Sequence, residues 1–252
     1  ATFGFGFYRA EELAEAATRW QAKGFNRLKM TVGNQALARR DEPRLLGDVI
    51  LEDAKRVETV RMAAGPEVEL FIDANCSLDL YHARQLCQMI EPFHIEFFEE
   101  PITQNDIRHM AELRSQTTIR LACGQNEGQA YRFRDMMIAG AVDIIQPNVA
   151  ITGGFTQCQK IAALANSFNI SVDNGGAWPF FNQHLQAGLS NGGLVEYHYS
   201  SVEVCKRLYI GLPEPKQGWL TMTDAPGLGF ELNTAALPLS LIHISEPTRQ
   251  VL

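Results

Sequence analysis

The sequence predicts an α/β protein whose parallel strands close into a barrel, and three observations carry that prediction. Short apolar runs alternate with stretches of helical spacing along nearly all of the 252 residues, as successive βα units would. Eight such units in roughly 240 residues match the usual size of a closed barrel. No G-x-G-x-x-G follows the first apolar run, which argues against an open, doubly wound sheet.

The elements follow in order. Thr2 to Phe7 is the first strand candidate. Arg9 to Lys23 carries Leu13, Ala16, Ala17 and Trp20 at helical spacing. Arg27 to Thr31 reads as a strand, Leu46 to Ala64 as a helix, Leu70 to Asp73 as a strand and Leu78 to Ile90 as a helix. Further strands fall at Ile95–Phe98, Arg120–Cys123, Ile144–Gln146, Ile170–Val172 and Leu194–Glu196. Helices at Ile107–Arg114, Ala130–Ile138, Thr156–Phe168 and Phe181–Ser190 lie between them. From Gly211 the chain is rich in Gly and Pro and is expected to be irregular and to wrap the outside. One domain, residues 1–238, accounts for all of this. The segment Leu239 to Arg249 resembles translated sequencing adapter, so residues 239–252 are expected to be a non-native tail. The opening at Ala1, without Met or a signal peptide, reads as a start inside a larger protein.

Composition narrows the function. Hydrophobic residues make up 46% and charged residues 20%, enough for a sizeable core. No uncharged apolar run reaches the ~18 residues of a membrane span. Twenty-two Lys plus Arg against 29 Asp plus Glu give a charge of −7, which is not the footprint of a nucleic-acid binder. Cys76, Cys87, Cys123, Cys158 and Cys205 are odd in number and form no C-x-x-C. They are expected to be reduced thiols of a cytoplasmic protein, neither disulfides nor zinc ligands.

The informative positions are those just after the apolar runs. Asp73, Glu99, Gln125, Asn148 and Asn174 follow five consecutive runs in steps of 26, 26, 23 and 26 residues. Each could cap the helix that follows it. Five in register, two of them carboxylates, favour a shared site at the barrel mouth, where such folds build their chemistry. Carboxylate and amide oxygens without Cys or His suit a hard cation such as Mg²⁺.

With these residues in view, the chain resembles the enolase superfamily, in its mandelate racemase and muconate lactonizing branch. The resemblance rests on the segments around Phe71-Ile72-Asp73-Ala74-Asn75, Phe98-Glu99-Glu100-Pro101, Gly124-Gln125-Asn126, Gln146-Pro147-Asn148 and Asp224-Ala225-Pro226-Gly227. It implies a (β/α)₇β barrel whose N-terminal capping domain lies outside this sequence. It also implies Mg²⁺ ligands at Asp73, Glu99 and Gln125, with Glu127 as an alternative third acid. Asn75, Asn148 and Asn174 are then candidates for binding substrate, and Lys29, Glu196 and His198 for catalysis. His184, in a helix, is expected to be structural.

Several positions depart from the family pattern. Gln125 stands for a glutamate, Thr31 for the second lysine of K-x-K, and Asn148 for the aspartate of a His–Asp dyad; the Asp173–Gly176 stretch has no histidine. The resemblance implies abstraction of the proton α to a carboxylate, then β-elimination of water from an acid sugar. Cycloisomerisation, epimerisation and racemisation are alternatives, and so is a barrel that binds metal and ligand without turnover. A small carboxylate substrate and a homo-oligomer of the full-length protein are expected.

Overall fold

A computed structural model of the chain describes residues 1–3, 8–33 and 45–236. Residues 4–7 of the first strand candidate and the proposed tail at 239–252 lie outside the described residues. Helices α1 (Ala10–Ala22), α2 (Leu46–Ala64), α3 (Leu80–Ile90), α4 (Ile107–Arg114), α5 (Ala130–Ile138), α6 (Gly154–Ser167) and α7 (Pro179–Ala187) alternate with strands. The strands are β1 (Arg27–Thr31), β2 (Glu69–Asp73), β3 (Ile95–Glu99), β4 (Arg120–Cys123), β5 (Ile144–Ile145) and β6 (Ser171–Val172). They form one parallel sheet in chain order. Isolated parallel bridges carry the pairing onward, from Val172 to Gly192, from His198 to Thr2 and from Thr2 to Lys29. Residues 1–3 and 192–198 thus take the two remaining strand positions of an eight-stranded ring. The expected strand at Leu194–Glu196 exists only as this irregular segment.

Strand alternation explains the two apolar layers. Leu70, Ile72, Phe98, Leu121, Cys123 and Ile145 face the helices and belong to the main core. The residues between them, Phe71, Phe97, Ala122 and Ile144, form a separate cluster with Leu194 inside the barrel. The first layer is shared with α1 to α6 through residues such as Leu13, Val57, Leu86 and Phe133.

Helix ends follow local chemistry. Asp79 accepts a 2.8 Å hydrogen bond from the His82 backbone, so α3 starts at Leu80, two residues after the expected Leu78. Gly65, at φ +81°, ends α2 where a side chain would be strained. Among the described residues no helix is long and apolar enough to cross a membrane.

The end of the chain differs from expectation. Tyr199–Leu208 forms a further helix, α8, and β7 (Tyr209–Ile210) pairs antiparallel with β8 (Glu231–Leu232). Between them, the segment expected to stay outside sends Trp219, Leu220 and Met222 to line a cavity of about 300 Å³. Phe71, Phe97 and Lys29 line the same space, so the segment covers part of the barrel interior.

Candidate active site

The alternation that points Phe71 and Phe97 inward also points Asp73 and Glu99 inward, two residues further on at the strand ends. Asp73 and Glu99 are direct register partners, as are Thr31 and Asp73. Lys29 lies on β1 with the same parity, and Glu196 stands two residues after Leu194. Four side chains from four strand positions therefore meet. The Lys29 Nζ is 2.5 Å from Glu99 Oε2, 2.7 Å from Glu196 Oε1 and 3.5 Å from Asp73 Oδ2. All four residues are buried.

This crowding sets the charges. Burial alone would lower the Lys29 ammonium, but Glu196, Glu99 and Asp73 together push it well above its ordinary value. Burial would raise Glu196, yet Lys29, with His198 and the Thr2 hydroxyl, holds it down at about 2. Lys29 and Glu196 therefore form a charged pair. Burial raises Glu99 and Asp73, each next to other acids, despite Lys29 beside them. Burial lowers His198, while the neighbouring Glu196 pulls it the other way.

The structure gives the other expected residues various tasks. Gln125 is buried, but its Nε2 donates to Glu100 Oε2 at 2.8 Å and faces Asp73 Oδ2 at 3.5 Å. The amide therefore presents N–H, not oxygen, to the acids. Glu127 turns away, bound by Arg132 at 2.9 Å and by Asn105. Asn148 is fully engaged in holding the backbone. Its Nδ2 donates to the carbonyls of Gly175, Gly176 and Ala177, and its Oδ1 accepts from Ala150 N and Asn182 Nδ2. Asn174 Oδ1 accepts from Glu196 N at 3.0 Å, which fixes the segment that carries Glu196. Asn75 is exposed, and its backbone N–H donates to Asp73 Oδ1 at 2.8 Å. His184 bonds the Leu228 carbonyl at 3.0 Å, in keeping with a structural role.

Two further buried residues, Glu100 and Gln146, belong to the site although the sequence pattern does not predict them. Glu100 is buried at φ +41°, and its Oε2 also accepts from Asn126 Nδ2 at 2.7 Å. Adjacent acids on a strand should face opposite sides; the left-handed turn at Glu100 defeats that rule. Gln146, which is not among the expected residues, lies two residues after the inward Ile144, as Asp73 does after Phe71. Its Nε2 donates to Glu99 Oε2 at 3.0 Å.

The donors at this site are oxygens, and Glu99 Oε1 is buried without a hydrogen-bond partner. Among the described residues no group of three His, Cys, Asp or Glu side chains is arranged to hold a metal ion. Mg²⁺ needs only one or two carboxylates when water and substrate supply the remaining oxygens. Asp73 and Glu99 fit that requirement.

The profile of the family described as Enolase C-terminal domain-like matches residues 12–236. The chain belongs to this family. Within it, similar chains fall in the mandelate racemase and muconate lactonizing branch. Arabinonate dehydratase of Saccharolobus solfataricus is 26% identical over 226 residues, 88% of this chain and 57% of the relative. D-galactarolactone cycloisomerase of Agrobacterium fabrum is 29% identical over 240 residues, 90% of this chain and 59% of the relative. Among solved structures, a mandelate racemase/muconate lactonizing enzyme from a marine actinobacterium, in complex with magnesium, superposes with a TM-score of 0.80 at 28% identity. That match covers 94% of this chain and 64% of the other. The L-talarate dehydratase of a Polaromonas species, complexed with Mg and L-glucarate, gives 0.81 at 27% identity, covering 93% and 61%. The chain thus spans about three-fifths of these family members.

Proposed function

We propose that this barrel serves a Mg²⁺-dependent acid-sugar dehydratase, with Asp73 and Glu99 holding the cation. The observation that carries the reading is the convergence of Lys29, Asp73, Glu99 and Glu196 at one mouth of a barrel of this family. The relatives named for arabinonate and galactarolactone support an acid-sugar substrate, and the magnesium-bound neighbours support the cation.

When bound, Mg²⁺ would supply Lewis-acid stabilisation of the negative charge that develops on the substrate carboxylate. Lys29 takes the proton from the carbon next to that carboxylate. It must be neutral to do so, which requires the acids around it to be drawn toward another cation. Glu196, tied to Thr2 Oγ1 at 2.6 Å and to Ala177 N, holds the ammonium once it forms. The proton then passes from Lys29 to the hydroxyl on the adjacent carbon. That C–O bond breaks, water leaves and a carbon–carbon double bond remains. His198, lowered by burial and so uncharged near neutral pH, is the alternative base.

Cycloisomerisation shares the first step and is the second reading, supported by the Agrobacterium fabrum relative. Aldonic and aldaric acids, incubated with full-length protein and Mg²⁺, should yield a 2-keto-3-deoxy acid for at least one substrate. Lactone rearrangement without loss of water would favour cycloisomerisation, and no product with any acid would favour a binding barrel.

A further inference from the structure

We propose that Gln146 is a positioning residue for Glu99, fixing which oxygen that carboxylate offers to a ligand. The inference rests on the reading of Glu99 as a cation ligand. Gln146 follows β5 directly and is held by its backbone N–H, which donates to the Cys123 carbonyl at 2.9 Å. It is 1% exposed, against 0% for Glu99. Its Nε2 donates to Glu99 Oε2, the oxygen that also takes the Lys29 ammonium. Two donors on Oε2 leave Oε1 as the oxygen of Glu99 with no hydrogen-bond partner.

Two further observations favour a positioning task over simple packing. Gln146 Oε1 is itself buried without a hydrogen-bond partner. A half-satisfied buried amide costs free energy that a leucine of similar volume would not. Gly175 lies against the same pair. A Cβ there would come within 2.9 Å of Glu99 Oε1 and 3.1 Å of Gln146 Nε2. The carboxylate is thus held between a donor and a backbone that admits no side chain without a shift.

The test is Gln146→Leu in the full chain, which keeps the volume and removes the donor. In its crystal structure the Glu99 carboxylate should leave its wild-type position by about 1 Å or more, enough to loosen a site. Calorimetric titration with Mg²⁺ should show affinity weakened by roughly 10–100-fold, as for lost hydrogen-bond partners of metal ligands. The melting temperature should stay level or rise, because an unsatisfied oxygen is removed. Gln146→His, which restores an N–H donor, should recover most of the affinity. A Glu99 carboxylate that stays in place in Gln146→Leu overturns the inference, as does unchanged Mg²⁺ affinity. If wild-type protein binds no Mg²⁺ but Glu99 still swings away in Gln146→Leu, the metal reading falls and the positioning role stands.

Discussion

Replacing Lys29 with methionine leaves Asp73, Glu99 and Glu196 buried together with no ammonium among them. In the wild-type protein Lys29 is 6% exposed and lies 2.5–3.5 Å from all three carboxylates. Removing one partner of a buried charge cluster costs about 3–5 kcal/mol, because the remaining charge has neither solvent nor counter-ion. For a chain of this size that corresponds to a fall in melting temperature of roughly 6–20 °C at pH 7. The sign of the pH dependence follows from the same geometry. Without the ammonium, burial and mutual repulsion raise all three acids, so the loss is present above their raised values and shrinks as they take up protons. Calorimetric melting of both proteins at pH 7 and pH 5 is the assay. Lys29→Met should lose much of its deficit at pH 5. A variant that melts with wild type at pH 7, or whose deficit is the same at both values, would refute the charge cluster.

Asp73→Ala should abolish Mg²⁺ binding in calorimetric titration of full-length protein; unchanged affinity would remove Asp73 from the ligand set. Glu196 is held at about 2 in the fold against an ordinary 4.5. Its contribution is therefore present above pH 4.5 and is lost as pH falls toward 2, on the order of 3 kcal/mol. Denaturant unfolding across that range should show a flatter pH dependence in Glu196→Gln, and parallel curves would exclude the Lys29–Glu196 pair as its origin.

Much of the barrel was legible in the sequence because its elements are written in local apolar periodicity. The ends of β1, α2, α4, β4 and α5 fall where the pattern places them. The last strand position was harder to see. Gly192 and Gly193 lead into it, and it pairs through single bridges rather than a ladder. The acids Asp73 and Glu99 were visible as breaks in apolar runs, and strand parity carried both to the mouth. The two-residue offset from the inward apolar side chain, which holds for Asp73 and Glu99, selects Gln146 over Asn148, whose amide serves three carbonyls 27 to 29 residues away. No local pattern encodes that contact. Nor does one encode the turn of Gln125 toward Glu100, which follows from the left-handed backbone at Glu100.

The central claim, that this mouth removes the proton next to a carboxylate, is tested most directly by solvent exchange. Full-length protein would be incubated with aldonic and aldaric acids in D₂O, with and without Mg²⁺, and deuterium at the α-carbon followed by NMR. The account predicts Mg²⁺-dependent incorporation with at least one acid, slowed about 10²–10⁴-fold in Lys29→Met, the usual size of a lost general base. Exchange at the wild-type rate in Lys29→Met would contradict Lys29 as the base and point to His198. No exchange with any acid, in protein shown to bind Mg²⁺, would contradict the claim itself.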